Sequence, residues 1–247
     1  MNLFYVNASQ ISENQITIVG TDVNHIKNVL RMKEDEELMV CDCEDTNYLC
    51  KINEFLQKEI ILDIVERKAC ETELKTKIYL FQGLPKSDKM ELIIQKAVEL
   101  GVYEVIPVAM KRSIVKIEDK KKEKKKLERW QAIAESAAKQ SKRGIIPSVH
   151  SVMSYKEALA YAKDFDLKLF PYENAEGMNK SRELVKNASK AKSIGIFVGP
   201  EGGFEDAEIE LVKEIGGEVI TLGKRILRTE TAGFTILSIL MFELDSI

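Results

Sequence analysis

The chain has 247 residues, 45% of them hydrophobic, with 37 Lys/Arg against 40 Asp/Glu and a net charge of −3. This length and composition predict an ordinary soluble protein with a sizeable core, in one large domain or two. No run of about 18 apolar residues occurs, and the start MNLFYVNASQ lacks the basic and apolar regions of a secretory signal. We therefore expect a cytoplasmic protein without a membrane span.

Cysteine and histidine are too sparse for several kinds of site. The four cysteines, at positions 41, 43, 50 and 70, match no common zinc or redox spacing and are expected to be reduced structural thiols. His25 and His150 are the only histidines, so catalytic triads and histidine-rich metal sites have little to use. No metal is expected.

Positive charge is concentrated in one part of the chain. Residues 1–70 carry 7 Lys/Arg against 13 Asp/Glu, a net of −6, whereas residues 111–143 carry 13 against 5, a net of +8. Such a basic stretch attracts a polyanion, for example a nucleic acid. The mixed run KKKEKKKLER is equally typical of an exposed helix, so the charge alone leaves both interpretations open.

The first 70 residues have the pattern of a small β-barrel or sandwich. Short β-rich segments recur at intervals of roughly ten residues: LFYV, ITIV, ELMVCDC, YLCKINEF and EIILDIVE. A helical segment interrupts them at residues 21–30, where apolar residues share one face and Thr21 or Asp22 could cap the helix.

After the charged link ERKACETELKTK, strand and helix patterns alternate. Strands are predicted at residues 78–84, 102–110, 167–170, 194–198 and 218–222, and helices at 87–100, 120–141, 154–164, 179–189, 205–215 and 231–244. This alternation predicts an α/β fold with a mostly parallel sheet covered on both faces. Ligands of such sheets bind at the carboxyl ends of the strands.

Three loops follow strands in the last eighty residues: FPYENAEG after 169, GPEGG after 198 and LGKRILRTETAG after 221. If their strands are neighbours in the sheet, these loops converge on one crevice.

The glycine loop in FVGPEGGFEDAEIE, residues 197–210, does not match a phosphate-binding loop. It has neither the Lys-Ser/Thr of the Walker pattern nor the spacing of the dinucleotide fingerprint. Four carboxylates surround the helix start and would repel a phosphate: Glu201, Glu205, Asp206 and Glu208. The loop suits a neutral or cationic ligand approached closely by backbone, although a purely structural strand-to-helix turn has the same pattern.

The loop LGKRILRTETAG places three basic residues within five positions at a strand end. Thr229 or Thr231 could cap the following helix. Arg228 and Glu230 either form a structural ion pair or face a substrate.

Together these segments closely resemble the ribosomal RNA small subunit methyltransferase E family. The resemblance is carried by FVGPEGG and LGKRILRTETAG, with KSDKMELIIQKAVELGV, IPVAMKRSIVK and WQAIAESAAKQSKRGIIPSV before them, and extends from HIKNVLRM to the last helix. It implies a PUA-like, RNA-binding β-barrel at residues 1–71 and a SPOUT methyltransferase domain with a trefoil knot at residues 72–247. Members of the family commonly have Ser or Thr where this chain has Glu205, so a weaker N-cap is expected there.

The resemblance also implies a homodimer, without membrane or metal, that uses S-adenosylmethionine to methylate N3 of a uridine in small-subunit (16S) ribosomal RNA. This cofactor carries a sulfonium cation and no phosphate, which agrees with the acidic glycine loop. By analogy with the family, the cofactor-binding residues are Phe170, Pro171, Gly199, Pro200, Glu201, Gly202, Leu222, Gly223, Ile226, Leu227 and Arg228.

The expected catalytic residues are Arg228, which would stabilise charge on the carbonyl oxygens as N3 loses its proton, and Glu230, which would orient Arg228 or relay the proton. The expected RNA-binding residues are basic, with one neutral amide among them: Lys27, Arg31, Lys111, Arg112, Lys139, Gln140, Lys142 and Arg143. Affinity for RNA should fall steeply with salt.

Two alternatives stay open at this point. A 2′-O-ribose methyltransferase of the same superfamily would use similar loops on a different nucleophile. A non-catalytic RNA-binding assembly factor would use the glycine loop only as a turn. The acidic N-terminal region could serve RNA binding, with Lys27, Arg31 and Lys33 on one face, or a structural or dimer-supporting role. The apolar last helix, FTILSILMFEL, could be buried in a dimer or within one chain.

Overall fold

A computed structural model describes residues 2–44, 46–115, 119–175 and 177–245. The chain divides into two compact units. The first comprises Met1–Glu73 with Ala138–Ile146, and the second comprises Leu74–Ala137 with Pro147–Ile247. A short segment from the middle of the chain thus belongs with the N-terminal unit. The functional division at residues 71 and 72 stays a prediction.

The first unit is built on a five-stranded sheet. Its strands are β1 (Leu3–Tyr5), β2 (Gln15–Val19), β3 (Glu37–Cys41), β4 (Thr46–Phe55) and β5 (Glu59–Ala69), in the order β1-β3-β4-β5-β2. β1 and β3 are parallel and the other neighbours antiparallel. These are the five segments in which the sequence predicted strands, and alternating positions such as Ile16 and Ile18 are fully buried on one face.

The helical segment of the first unit begins at Thr21 as predicted but differs from the prediction in its cap and its form. Helix α1 (Thr21–Asn24) continues into a π-helical turn, His25–Val29. Its N-cap is Gly20, with φ +74°, so neither Thr21 nor Asp22 caps it. Glycine adopts this left-handed conformation at low cost, and the sharp turn out of β2 requires it.

The second unit is built on a seven-stranded sheet. Its strands are β6 (Lys77–Gly83), β7 (Glu104–Ala109), β8 (Ser148–Val149), β9 (Met153–Ser154), β10 (Leu167–Pro171), β11 (Ser193–Val198) and β12 (Glu218–Ile220). The order is β12-β10-β11-β6-β7-β8, with β9 also on β7, and every pairing described is parallel. The predicted parallel α/β sheet is confirmed; the two-residue strands β8 and β9 were not predicted.

The described part of the chain has six further α-helices. They are α2 (Lys89–Glu99), α3 (Lys120–Ser141), α4 (Tyr155–Tyr161), α5 (Met178–Lys186), α6 (Asp206–Glu214) and α7 (Thr229–Leu244). α3 begins in the second unit, and its residues from 138 onward are counted with the first.

An aromatic stack crosses the middle of the second sheet. The rings of Phe81 on β6 and Phe197 on β11 stack with centroids 4.1 Å apart, and Phe170 on β10 stacks on Phe197 at 4.3 Å. All three side chains are completely buried. This stack holds β6, β11 and β10 together next to the edge from which the loops after β10, β11 and β12 leave.

Within the described residues, no cluster of His, Cys, Asp and Glu is suited to hold a metal ion. Cys41, Cys50 and Cys70 are buried free thiols, and Cys43 is partly exposed. Among the helices described, none is both long and apolar enough to cross a membrane.

Candidate active site

The three predicted loops leave the same edge of the second sheet. β10 pairs in parallel with both β11 and β12, so the segments after these three strands start side by side. The strands before the three loops are therefore neighbours in the sheet, which is the condition under which the loops converge. Glu176, within FPYENAEG, lies outside the described residues.

The converging loops enclose a cleft made of two adjoining cavities. The larger cavity, of about 360 Å³, is lined by Lys89, Pro171, Glu173, Val198, Gly199, Pro200, Glu201, Gly202, Gly203, Phe204, Ile226, Leu227, Arg228, Thr229 and Ala232. The smaller cavity, of about 80 Å³, is lined by Pro171, Tyr172, Glu173, Thr221, Leu222, Gly223, Arg225, Ile226, Leu227 and Ala232. Five shared lining residues make the two cavities continuous.

Ten of the eleven expected cofactor residues line this cleft. Eight line the larger cavity: Pro171, Gly199, Pro200, Glu201, Gly202, Ile226, Leu227 and Arg228. Leu222 and Gly223 line the smaller one, where Ile226 and Leu227 also contribute. Phe170 is placed elsewhere: its side chain is fully buried in the aromatic stack, because it points into the core while Pro171, the next residue on β10, faces the cleft.

The glycine loop is a tight turn with no space for larger residues. The N–H of Gly203 donates to the carbonyl of Pro200 at 2.9 Å, and Gly203 has φ +67°. A Cβ on Gly202 would lie 2.9 Å from Cβ of Arg112, whose Nη1 donates to the Gly202 carbonyl at 3.0 Å. Arg112, expected to bind RNA, thus supports the glycine loop, and the loop's backbone forms the cavity wall.

The carboxylates near the start of α6 are largely satisfied within the protein. Glu208 is buried, and its carboxylate accepts hydrogen bonds from the backbone N–H groups of Glu205 (2.8 Å) and Lys111 (3.0 Å). Glu205 is the N-cap and makes no side-chain capping bond of its own. The weaker cap expected at Glu205 is thus accompanied by a Glu208 carboxylate that ties the helix start to the segment after β7.

Glu201 is fixed at the edge of the larger cavity. Its carboxylate accepts the backbone N–H of Lys86 at 3.1 and 3.3 Å and lies 3.1 Å from Nζ of Lys89. Burial raises the pKa of Glu201, but hydrogen bonds from its own backbone and from Lys86, together with Lys89, outweigh burial and lower the pKa below its usual value. Glu201 is therefore an ionised carboxylate in the cleft.

Glu230 pairs with Lys89 and not with Arg228. Its Oε2 lies 3.2 Å from Nζ of Lys89, so one ammonium bridges Glu201 and Glu230. Arg228 is exposed, lines the larger cavity and makes no ion pair with any residue the structure describes. The direct Arg228–Glu230 pair considered from the sequence is wrong, because Lys89 takes the Glu230 carboxylate.

Sequence reasoning missed Lys89. The available signal was the segment KSDK, which follows a strand and leads into a helix, as the three converging loops do. The pattern did not reveal that β6 neighbours β11, which is what brings Lys89 to Glu201.

Thr229 joins the start of α7 to the glycine loop. Its hydroxyl donates to the Gly199 carbonyl at 2.6 Å and accepts from Nε2 of Gln82 at 2.8 Å, and both side chains are buried. The N-cap of α7 is Arg228, so neither Thr229 nor Thr231 caps the helix as expected. The Thr229 hydroxyl is used to hold β6, the glycine loop and α7 in one arrangement.

The expected RNA-binding residues of the first unit fall into two groups. Five are exposed: Lys27, Arg31, Lys139, Gln140 and Lys142. Lys27 lines an open cavity of about 530 Å³, together with Gly20, Val23, Asn24, Asn28, Gln57 and Lys58. The ammonium of Lys139 lies 3.5 Å from the Asp22 carboxylate.

Arg143 is a correction to the expected RNA-binding set. It is only 3% exposed, and its guanidinium makes two hydrogen bonds to the Glu73 carboxylate, with Nε 2.8 Å from Oε1. A buried guanidinium needs such a partner to offset its lost hydration. Arg143 therefore stabilises the first unit and does not contact phosphate from the surface.

In the second unit, the expected RNA-binding residues Lys111 and Arg112 are both exposed. They follow β7 at the edge of the sheet that carries the cleft.

Comparisons with known proteins match nearly the whole chain. A family profile for an RNA methyltransferase domain matches residues 72–241, and one for an RNA methyltransferase PUA domain matches residues 18–64. Ribosomal RNA small subunit methyltransferase E of Bacillus subtilis is 38% identical over 232 residues, covering 93% of this chain and 90% of that protein.

Solved structures agree with these matches. The ribosomal RNA small subunit methyltransferase E of Neisseria gonorrhoeae bound to S-adenosylmethionine aligns with a TM-score of 0.81 at 30% identity, covering 96% of this chain and 95% of that one. A Legionella pneumophila protein in complex with S-adenosylmethionine aligns with a TM-score of 0.82 at 29% identity, covering 97% and 96%.

Proposed function

Because the chain belongs to the ribosomal RNA small subunit methyltransferase E family, we propose that it uses S-adenosylmethionine to methylate N3 of a uridine in small-subunit (16S) ribosomal RNA. One observation carries the proposal. The glycine loop and the basic loop with Arg228 line the same cavity at the carboxyl edge of a parallel sheet. A ribosomal substrate also implies action in the cytoplasm.

The lining of the cleft is compatible with the proposed cofactor. S-adenosylmethionine supplies an activated methyl group on a sulfonium cation and carries no phosphate. The larger cavity presents the carboxylates of Glu173 and Glu201 and the backbone of Gly199 and Gly202. We assign cofactor binding to the ten predicted residues that line the cleft.

Arg228 is the proposed catalytic residue. N3 of uracil is an imide nitrogen that must lose its proton, which passes to solvent water in the exposed cleft, before it can attack the methyl carbon. The negative charge of the deprotonated base spreads to the flanking carbonyl oxygens, and the C–S bond of the sulfonium breaks as the N–C bond forms, leaving the neutral thioether. A fixed guanidinium beside the base stabilises that charge. Arg228 is exposed on the cavity wall and free of a protein carboxylate among the described residues, so its guanidinium is available for this contact.

The proposed role of Glu230 changes with its position. It does not line the cavity and its carboxylate pairs with Lys89, so a direct proton relay from the base is not supported. Glu230 acts instead through Lys89 on the shape of the cleft.

The RNA must present the target base outside a helix. N3 lies on the pairing edge of uracil, so the base has to be unpaired or flipped to reach the cleft. We propose that exposed basic residues contact phosphates: Lys27, Arg31, Lys139 and Lys142 in the first unit, with Gln140 beside them, and Lys111 in the second.

We further propose that the second unit is a SPOUT domain with a trefoil knot, and that the protein is a homodimer. For the knot, β12 lies at the edge of the sheet, yet the chain that leaves it reaches Gln82 on β6 by Thr229, passing the ends of β10 and β11. For the dimer, α7 exposes Phe242 (80%) and Ile239 (41%), apolar side chains that a second copy would cover.

Calorimetry with small ligands tests the cofactor assignment. We expect the protein to bind S-adenosylmethionine at one site per chain and not to bind ATP, because the cationic lining residues Lys89 and Arg228 are matched by Glu173 and Glu201 and leave no surplus positive charge for a triphosphate. ATP is the matched control, since it shares the adenosine part. A protein that binds ATP equally well, or neither ligand, would contradict the proposal, and the second result would favour a non-catalytic assembly factor.

A further inference from the structure

The ammonium of Lys89 joins three segments at the edge of the cleft. Lys89 is the first residue of α2, which follows β6. Its Nζ lies 3.1 Å from Glu201 in the glycine loop after β11, and 3.2 Å from Glu230 in the first turn of α7. The bridged groups are partly shielded, since the side chains of Lys89, Glu201 and Glu230 are 30%, 25% and 14% exposed.

Without Lys89, neither carboxylate would have a counter-ion among the described residues. Like charges a few ångström apart repel strongly where water is partly excluded. The charged groups that line the larger cavity are Lys89, Glu173, Glu201 and Arg228. Lys89 balances one of the two acids there, so its loss would leave the cavity with a net negative charge.

The bridge restrains Arg228 through the start of α7. Arg228 is the N-cap of this helix, and its carbonyl accepts the N–H of Ala232 at 2.8 Å. Glu230 lies two residues further on, in the same first turn. Holding Glu230 to Glu201 therefore sets how the N-terminus of α7, with Arg228, meets the glycine loop.

The segment that carries Lys89 is itself held in an unusual conformation. Ser87 has φ +54°, in the left-handed region that residues with a side chain seldom adopt. The N–H of Lys86 donates to the Glu201 carboxylate that Lys89 also contacts. Strained backbone persists where the surrounding structure fixes it, often at functional sites. Here the turn directs both the Lys86 N–H and the Lys89 ammonium to Glu201.

We infer that Lys89 is a positioning residue for the reaction: by bridging Glu201 and Glu230 it fixes Arg228 and the glycine loop in one arrangement. The link to methyl transfer rests on the proposed function. The mechanical part of the inference does not, because it concerns contacts within the free protein.

The test compares Lys89→Met, which removes the charge at similar size, with Lys89→Arg, which keeps a cation able to donate to both carboxylates. Lys96→Met is the matched control, since Lys96 lies on the same helix and pairs with Glu99 at 2.7 Å, apart from the residues that line the cleft. All variants are first checked for wild-type-like thermal unfolding.

Hydrogen exchange of the free protein is the first measurement. We expect amides at residues 199–205 and 226–233 to exchange at least about tenfold faster in Lys89→Met, because local opening becomes easier. Lys89→Arg should restore protection, and Lys96→Met should leave it unchanged. Unchanged exchange in Lys89→Met, or equal exchange in Lys89→Met and Lys89→Arg, would overturn the inference.

Turnover is the second measurement. With saturating cofactor and RNA, Lys89→Met should lose turnover by about 100-fold while affinity for S-adenosylmethionine changes by less than about tenfold, because misplacement of about 1 Å costs that much rate. A fall in affinity alone would overturn the positioning role. If the wild-type protein transfers no methyl group, the proposed function fails, and the exchange result still decides whether Lys89 holds the loops together.

Discussion

Replacing Arg228 by alanine is expected to lower turnover by about 10²–10³-fold at saturating cofactor and RNA, the usual effect of removing a group that stabilises developing negative charge. The loss follows because Arg228 is exposed on the cavity wall and pairs with no carboxylate of the described residues, so its guanidinium is available to the base. Single-turnover transfer of a labelled methyl group measures it. Affinity for S-adenosylmethionine should change by less than about tenfold, since the nine other proposed cofactor-binding residues stay in place.

Lys224→Ala is the matched control for this substitution. Lys224 is an exposed cation of the same loop, four residues before Arg228, and does not line either cavity of the cleft. Its loss should leave turnover nearly unchanged. Near-normal turnover of Arg228→Ala would remove Arg228 from the catalytic role, and an equal loss in both variants would point to the loop's total charge.

Replacing Gly83 by alanine is expected to displace the glycine loop, although the two lie more than a hundred residues apart in the sequence. A Cβ on Gly83, the last residue of β6, would lie 2.6 Å from Cδ and 2.7 Å from N of Pro200, and 2.9 Å from Sδ of Met110. Because one obstacle is backbone, Pro200 has to move. Overpacking of this kind costs about 1–3 kcal/mol of stability.

Denaturant unfolding and calorimetry measure the two consequences of Gly83→Ala. Stability should fall, and the dissociation constant for S-adenosylmethionine should rise at least about tenfold as the cavity wall shifts. Gly233→Ala on α7 is the control: its added Cβ would meet nothing nearer than 3.8 Å, and alanine favours a helix. Wild-type affinity in Gly83→Ala would show that the loop does not form the ligand site.

Local sequence patterns predicted most of the elements because periodicity and charge determine them. The basic helix was predicted at residues 120–141, where α3 lies. The predicted bounds of the three strands before the converging loops agree with β10, β11 and β12 within a few residues. The capping residues were less well predicted, because the N-caps are Gly20 in α1 and Arg228 in α7 and not the expected threonines or aspartate. Thr229, for example, donates to the carbonyl of Gly199.

Contacts between residues far apart in the sequence account for the features of the fold that local patterns did not predict. Residues 138–146 belong with the first unit through Arg143, which pairs with Glu73, and through Gly144, whose carbonyl accepts the thiol of Cys41. Neither contact leaves a periodic signal. From the sequence alone, a basic residue such as Arg143 is therefore predicted to contact RNA at the surface, although its side chain is buried.

The candidate site depends in the same way on strand order. The composition of the glycine loop disfavours a phosphate and favours a neutral or cationic ligand, an argument that needs only local charge. The bridge from Lys89 to Glu201 and Glu230 depends on β6 lying beside β11. No spacing along the chain contains that adjacency.

The central claim is that this chain methylates N3 of a uridine in small-subunit ribosomal RNA. Small subunits from a strain that lacks the gene, incubated with the purified protein and S-adenosylmethionine, test it when the RNA is digested and its nucleosides are identified by mass spectrometry. We predict that 3-methyluridine appears with the wild-type protein and is greatly reduced with Arg228→Ala. A methyl group found on a ribose 2′-oxygen, or no methylated nucleoside at all, would contradict the claim.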